Sequence, residues 1–147
     1  MIPVGILTGA ATSNFVGLLD LYPNAAAAFS FRKLRTAYSG SCIRVASSAA
    51  GNPFADIGFV SNVLDTAALL AFIGSNTGRI ITWYDQSGNG NNATQSTFSD
   101  AAIIVNSGTL ITDSGKVAIT GNKFLLLNSE IVPTSSYAGF SVMSRSI

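Results

Sequence analysis

The sequence contains no histidine, a single cysteine and few charged side chains, and each of these absences excludes a kind of site. Without an imidazole, neither a Ser-His-Asp triad, nor a Cys-His pair, nor a histidine metal site can form. Because Cys42 stands alone, an internal disulfide and a cysteine metal quartet are excluded as well. The sequence therefore predicts no metal site and no cofactor.

Charge is scarce: charged residues make up 10% of the 147 residues, where soluble globular domains usually carry about a quarter. A net charge of +1 gives no basic surface of the kind that nucleic-acid binding requires. Hydrophobic residues reach 48%, yet the longest apolar runs, 2–7 and 67–73, are far shorter than the roughly 20 residues of a membrane-spanning helix. We therefore expect no membrane span, and we prefer a surface covered by partner chains to an ordinary monomer.

Short strands separated by Gly, Asn and Ser turns predict one antiparallel β-sandwich domain, mainly β, with two short helices. Residues 1–22 are expected to form an extended N-terminal lead-in or anchoring segment, either an edge strand or a strap on another surface. Residues 23–147 are expected to form the sandwich. Since the last residues have the pattern of an unfinished strand, we expect the sandwich either to be incomplete at its C-terminus or to pair with another chain.

Two stretches carry helix signals. Four alanines after Pro23 predict a helix over 23–38, because Ala is the best helix former and Pro is tolerated at a helix start. A second helix is predicted over 65–73, with Asp65 as its N-cap and Gly74 as its stop. The predicted strands are 42–47, 54–60, 79–84, 102–105, 109–112, 116–120, 123–127 and 139–144.

The sequence resembles the α-L-arabinofuranosidase B family in three stretches: 28–40, 43–45 with 56–58, and 81–95. They are similar, in the same order, to the helix and turn, the hairpin and the Tyr-Asp-Gln-Ser-Gly segment that open its catalytic domain. The resemblance implies a jelly-roll sandwich of the concanavalin-like or laminin-G-like type. A shorter version of this signature resembles a domain of bacteriophage tail and fibre proteins. This sequence is nearer to that version, because it lacks the cysteines of the secreted enzymes.

The resemblance implies a virion structural protein, as a capsid or tail decoration or as the capsid-proximal part of a fibre. Its expected location is the virion, and its expected partners are other copies of itself (a trimer in a fibre), other virion proteins and host-surface glycans. The alternatives are a carbohydrate-binding adhesin and an arabinofuranosidase-like hydrolase. The catalytic acids of the family lie later in its domain, and no matching motif follows here. We therefore expect no enzyme and assign no catalytic residue.

The loop 85–92 is the candidate contact site. In the carbohydrate-binding interpretation, six side chains contact the sugar: Trp83, Tyr84, Asp85, Gln86, Asn89 and Asn91. A calcium ion among the loop oxygens is a weaker interpretation, because one carboxylate with amides makes a poor cage. In the structural alternative, Asp85 and Ser87 cap a tight turn, Gly88 and Gly90 adopt positive φ, and the two aromatic rings lie in the core.

Two acids, Asp56 and Asp85, fall within the resembling stretches. If the chain were a glycosidase, they would be the candidate pair of catalytic carboxyl groups. Such enzymes need two carboxyl groups about 5 Å apart for retention, or about 6.5–9.5 Å apart for inversion. Asp at a strand-to-loop junction more often accepts hydrogen bonds from loop amides. We therefore rank catalysis below binding.

Overall fold

The computed structural model describes residues 14–121 and 125–127, which form a mainly β protein with two short helices. Helix α1 spans Leu18–Leu21 and helix α2 spans Thr66–Ile73. The strands in chain order are β1 Ile43–Ser47, β2 Phe54–Ile57, β3 Phe59–Val60, β4 Val63–Leu64, β5 Gly78–Trp83, β6 Ala93–Thr94, β7 Ala102–Asn106, β8 Thr109–Leu110, β9 Thr112–Asp113, β10 Lys116–Val117 and β11 Leu126–Leu127. The predicted class, mainly β and antiparallel with two short helices, is confirmed.

Seven of these strands form one curled antiparallel sheet with β5 at its centre. The order is β11-β6-β5-β1-β2, and β7, which also pairs with β8, shares one edge of β5 with β6. The register shifts between Arg44 and Val45 of β1, and again between Gly78 and Arg79 of β5. Such irregularities bend the strands and increase their twist, which accounts for the curl.

The core lies on the inner face of this sheet, where helix α2 packs across the strands. Its fully buried aliphatic side chains come from three strands and one helix: Ile43, Val45, Leu69, Ile73, Ile80 and Ile104. At Gly78 a Cβ would lie 2.8 Å from the Ile73 side chain, so the close approach of the helix to β5 requires glycine there.

The predicted helix over 65–73 is confirmed. An Asp65 carboxylate oxygen accepts a hydrogen bond from the Ala68 amide at 2.9 Å, and Gly74, with φ +59°, ends the helix. Within the described residues no helix is long and apolar enough to cross a membrane. The other predicted strands that lie in the described residues are also present, but their bounds differ: β7 is one residue longer, β10 and β11 have only two residues each, and 54–60 is split at Gly58 and 109–112 at Ile111. The predicted strand 139–144 and the residues 122–124 lie outside the described residues.

The predicted helix over 23–38 is wrong: the structure has no helix in this stretch. Asn24 adopts φ +76°, which no α-helix tolerates. Several main-chain groups between Ala25 and Leu34 hydrogen-bond to the loop 85–92 instead of to one another. Tertiary hydrogen bonds therefore override the helix propensity of the four alanines.

Helix α1 lies within the stretch 1–22 that was predicted to be extended. It is held against the 34–36 backbone, since the Leu19 amide donates to the Leu34 carbonyl at 2.8 Å and the Thr36 amide donates to the Asp20 carboxylate at 2.9 Å. Hydrogen bonds from Thr36, first from its hydroxyl, lower the pKa of Asp20. A Cβ on Gly17 would lie 2.2 Å from the Leu34 carbonyl oxygen, so this contact also depends on glycine.

Candidate functional site

Gln86 lies in the loop 85–92 between β5 and β6, and its side chain is fully buried. Its Nε2 donates to the carbonyls of Ser30 at 2.9 Å and Arg32 at 3.0 Å, while its Oε1 accepts from the Leu34 amide at 2.8 Å. One side chain thus satisfies three main-chain groups of a segment more than 50 positions away in the sequence. Gln86 therefore fastens this extended segment to the sheet.

Asp85 is 5% exposed and accepts four hydrogen bonds. Its Oδ1 takes the amides of Ala28 at 2.9 Å and Ser87 at 2.8 Å, and its Oδ2 takes the Ser87 hydroxyl at 2.6 Å and the Asn91 amide at 3.0 Å. Burial acts to raise the pKa of Asp85, but the hydrogen bonds from Ser87, Ala28 and Asn91 outweigh it and keep the pKa below its ordinary value. The Asp85 carboxylate is therefore ionised, and groups of the protein itself donate all four of these hydrogen bonds.

Two of the three asparagines of the loop extend the same attachment. Asn89 Nδ2 donates to the carbonyls of Ala25 at 2.9 Å and Ala26 at 3.2 Å, and Asn91 Nδ2 donates to the latter at 2.8 Å. Gly88 and Gly90 have φ of +97° and +75°, as the structural alternative predicted. We call residues 85–92 the latch, because their polar groups hold the segment 25–34.

Trp83 faces the inner side of the sheet, since its register partners are Ile43 and Ala93, which are both buried. Its ring stacks on Phe31 with centroids 4.7 Å apart and planes at 17°. Within the part of the chain that the structure describes, its Nε1 is buried without a hydrogen-bond partner. Because Phe31 covers one face of the indole, Trp83 has the surroundings of a core residue.

The opposite, outer face of the sheet carries a group of four exposed or half-exposed side chains that we call the sheet-face array: Arg44, Phe54, Asp56 and Tyr84. Arg44 pairs with Asp56 through two hydrogen bonds, from Nε at 2.8 Å and Nη2 at 2.7 Å, and its guanidinium lies 5.0 Å from the Phe54 ring centroid. The Tyr84 hydroxyl donates to Asp56 Oδ1 at 2.7 Å. The sequence singled out Asp56 and Tyr84 but gave no sign of the other two members.

Contacts within the array fix its protonation states. The hydrogen bonds from Arg44 lower the pKa of Asp56, and the same contact raises that of the guanidinium. Burial, followed by the hydrogen bond to Asp56, raises the pKa of Tyr84 to about 12. At neutral pH the array therefore consists of one cation, one anion and one neutral hydroxyl.

Glycoside hydrolysis needs two carboxyl groups that converge on one bond, so the contacts of the acids in the described residues matter here. Asp56 and Asp85 have different hydrogen-bond partners there, and no three Cys, Asp or Glu side chains gather to hold a metal ion. One groove, of about 330 Å³, lies beside Tyr38 and Phe59. Another, of about 570 Å³, is lined by apolar side chains such as Phe31 and Val117 and by the cations Arg32 and Lys116. Neither groove has an acidic residue in its lining.

Comparisons of the sequence with protein-family models and with curated proteins give no match. Solved structures do match. They include a GH54 α-L-arabinofuranosidase soaked with a cyclic sulfate inhibitor and an arabinofuranosidase complexed with arabinofuranosyl-α-1,2-xylobiose, each with a TM-score of 0.50 and 30% sequence identity. Each match covers 54% of this chain but only 18% of the other chain. This chain is thus similar in structure to one part of the GH54 arabinofuranosidases, as the resemblance over residues 28–95 implied.

Proposed function

We propose that this chain is a carbohydrate-binding module without glycosidase activity. The support for carbohydrate binding is its structural similarity, at 30% identity, to arabinofuranosidases solved with sugar ligands. Because the chain spans only 18% of the length of those proteins, we propose binding to sugars and do not carry over their hydrolytic activity. Neutral oligosaccharides that contain arabinofuranose or xylose are the ligands to which the similarity points.

The proposal of a non-catalytic module is supported by the state of the two acids that the sequence singled out. All four hydrogen bonds that Asp85 accepts come from within the protein, and it is almost fully buried. A general acid or nucleophile must instead reach the bond that it cleaves. Asp56 is exposed, but its ion pair with Arg44 lowers its pKa. A carboxyl group with a lowered pKa is ionised at neutral pH and is therefore a poor proton donor.

Titration of the full chain with arabinoxylan-derived oligosaccharides should give saturable binding, whereas 4-nitrophenyl α-L-arabinofuranoside should release no nitrophenol above the buffer rate. Isothermal calorimetry measures the first and absorbance the second. Turnover that disappears in Asp56→Asn, while the variant keeps its fold, would show that the chain is an enzyme after all. The complete lack of binding across the oligosaccharide panel would contradict the carbohydrate proposal.

A second proposal, a structural subunit of a virion, is favoured by the apolar surface around helix α1. Leu21 and Tyr22 are 64% and 69% exposed, and Val16 and Leu18 lie exposed beside them. Contiguous exposed apolar side chains commonly mark contacts between proteins. We expect this apolar surface to contact a second copy of this chain. The trimeric fibre, the other virion partners and the virion location, which were expected from the sequence, are part of this second proposal.

In light scattering after size exclusion, the full chain should then have the mass of an oligomer. The double variant Leu18→Ser/Leu21→Ser should shift to the monomer mass, because it removes apolar surface from the contact. Val60→Ser, which replaces an exposed aliphatic residue of strand β3 instead of helix α1, is the matched control and should leave the oligomer intact. A wild-type chain that stays monomeric at high concentration would rule the assembly out.

A further inference from the structure

We infer that the sheet-face array is the binding site for the sugar, and that its ligand is a neutral oligosaccharide held through neighbouring hydroxyl groups. This inference rests on the carbohydrate binding proposed above, and it adds the location and the ligand class. It also moves the site away from the latch, where the sequence had placed it.

The register of the sheet gathers the array on one face. Arg44 of β1 lies opposite Asp56 of β2 and opposite Thr82 of β5, which in turn lies opposite Thr94 of β6. Directly opposed residues on neighbouring antiparallel strands point to the same side of the sheet. A row of polar side chains therefore crosses four strands, each about 4.8 Å from the next. This length accommodates more than one sugar ring.

The polar members of the array keep hydrogen-bonding capacity after their contacts with one another are counted. A guanidinium has five N–H donors, and Arg44 uses one on Nε and one on Nη2 to reach Asp56. A carboxylate oxygen can accept two hydrogen bonds, of which Asp56 Oδ2 uses one for Arg44 Nη2, and the Tyr84 hydroxyl, which donates to Asp56 Oδ1, can still accept. Donors and acceptors thus lie side by side, which suits sugar hydroxyls because each hydroxyl both donates and accepts.

Phe54 supplies the apolar part of the site. Its ring is 60% exposed, although the Arg44 guanidinium lies over it at 5.0 Å. A sugar presents a C–H face as well as hydroxyl edges, so an exposed ring beside planar polar groups matches both kinds of surface.

The charge balance of the array selects the ligand class. Arg44 and Asp56 neutralise each other through two hydrogen bonds, so the array as a whole attracts neither anions nor cations strongly. An acidic sugar would have to place its carboxylate beside that of Asp56, which is ionised at neutral pH. We therefore expect neutral glycans to bind better than uronic-acid glycans.

The members of the array contact one another before any ligand arrives. The Tyr84 amide donates to the Cys42 carbonyl at 3.1 Å, and Tyr84 directly precedes the buried Asp85 and Gln86 of the latch. The Arg44–Asp56 pair is fixed by the register of two neighbouring strands. A prearranged surface loses less conformational entropy on binding than a flexible one.

The experiment titrates arabino-oligosaccharides, xylo-oligosaccharides and polygalacturonate fragments into the full chain and two array variants by calorimetry. Phe54→Ala should weaken binding of the neutral ligands about tenfold or more, and Tyr84→Phe about fivefold, which is the effect of one hydrogen bond. Tyr38→Phe is the matched control: it also removes one hydroxyl with one hydrogen bond, to the Ser41 carbonyl, and should change nothing. Urea unfolding midpoints confirm that each variant is folded.

The outcomes separate this inference from the proposed function. Wild-type binding that survives in both array variants would overturn the inference and leave the carbohydrate-binding module standing. Loss of binding in Tyr38→Phe instead would move the site to the groove that this ring lines. Preference for polygalacturonate over the neutral ligands would overturn the ligand class. No binding to any of the three ligands would overturn the inference together with the proposed function.

Discussion

Gln86→Ala should lower the free energy of unfolding by about 3–5 kcal/mol, one of the largest losses expected from a single substitution in this chain. The substitution leaves a cavity where a fully buried side chain was, and it deprives Ser30, Arg32 and Leu34 of their hydrogen-bond partner. Because small domains are stable by only about 5–15 kcal/mol, this loss is a large fraction of the total. Urea denaturation followed by circular dichroism measures it.

Gln95→Ala is the matched control, since Gln95 is only half-buried and its side chain accepts a local hydrogen bond from the Thr97 amide. This control should lower the free energy of unfolding by less than about 1 kcal/mol.

Gln86→Glu tests the role of the amide itself, because it keeps the shape of the side chain but replaces the donor that faces two carbonyls. Burial should raise the pKa of the new carboxyl, so this variant should gain stability as the pH falls towards 4. Equal costs for Gln86→Ala and Gln95→Ala would show that the latch contributes little.

Where the signals were local, the sequence predicted the structure. Helix α2 was identified because its cap, its apolar face and its stop, from Asp65 to Gly74, are all contained in ten consecutive residues. The Gly and Ser turns predicted between strands were also local signals: after Asp113, Ser114 and Gly115 adopt the positive φ that a two-residue hairpin requires. The central strands were predicted for the same reason, from short runs of β-branched and aromatic residues.

The helix predicted over 23–38 failed because the deciding interactions are not local. An alanine run predicts a helix only while its main-chain groups have no stronger partners. Here the partners are latch residues more than 50 positions away, and nothing in the window 23–38 announces them. Predicting these contacts would have required considering residues 23–38 together with the polar run from Asp85 to Ser87. The structure shows that this polar run is buried.

The proposed site contains two residues that the sequence singled out, Asp56 and Tyr84. The sequence also singled out the 85–92 loop, but it could not distinguish polar groups that bind a ligand from polar groups that bind the chain itself. The array was missed because Arg44 becomes a neighbour of Phe54 and Asp56 only through the register between β1 and β2. A one-residue change of register would place these side chains on the other face, and no local pattern fixes it.

Asp85→Asn should lower the free energy of unfolding by about 2–4 kcal/mol at pH 7. An amide in place of the carboxylate turns one oxygen into a donor, which then faces donors: the amides of Ala28 and Ser87 on one side, or the amide of Asn91 on the other. The hydrogen bonds that remain also lose the charge that strengthens them. Asp113→Asn, a change of the same kind at an exposed hairpin, should cost less than about 0.5 kcal/mol.

The pH dependence of that loss shows whether the Asp85 charge is responsible. The folded-state pKa of Asp85 lies below the ordinary value of 3.8, so its contribution is fully present above about pH 4 and is lost as the pH falls through the folded-state pKa. The gap between wild type and Asp85→Asn should therefore narrow in acid, and a gap that stays constant down to about pH 2 would contradict the assignment. Removing a catalytic carboxylate usually preserves or increases stability, since active-site groups are poorly satisfied in the resting protein. A large, charge-dependent loss of stability at Asp85 would accordingly identify it as the structural anchor of the latch, and would leave the exposed face of the sheet as the surface available for ligands.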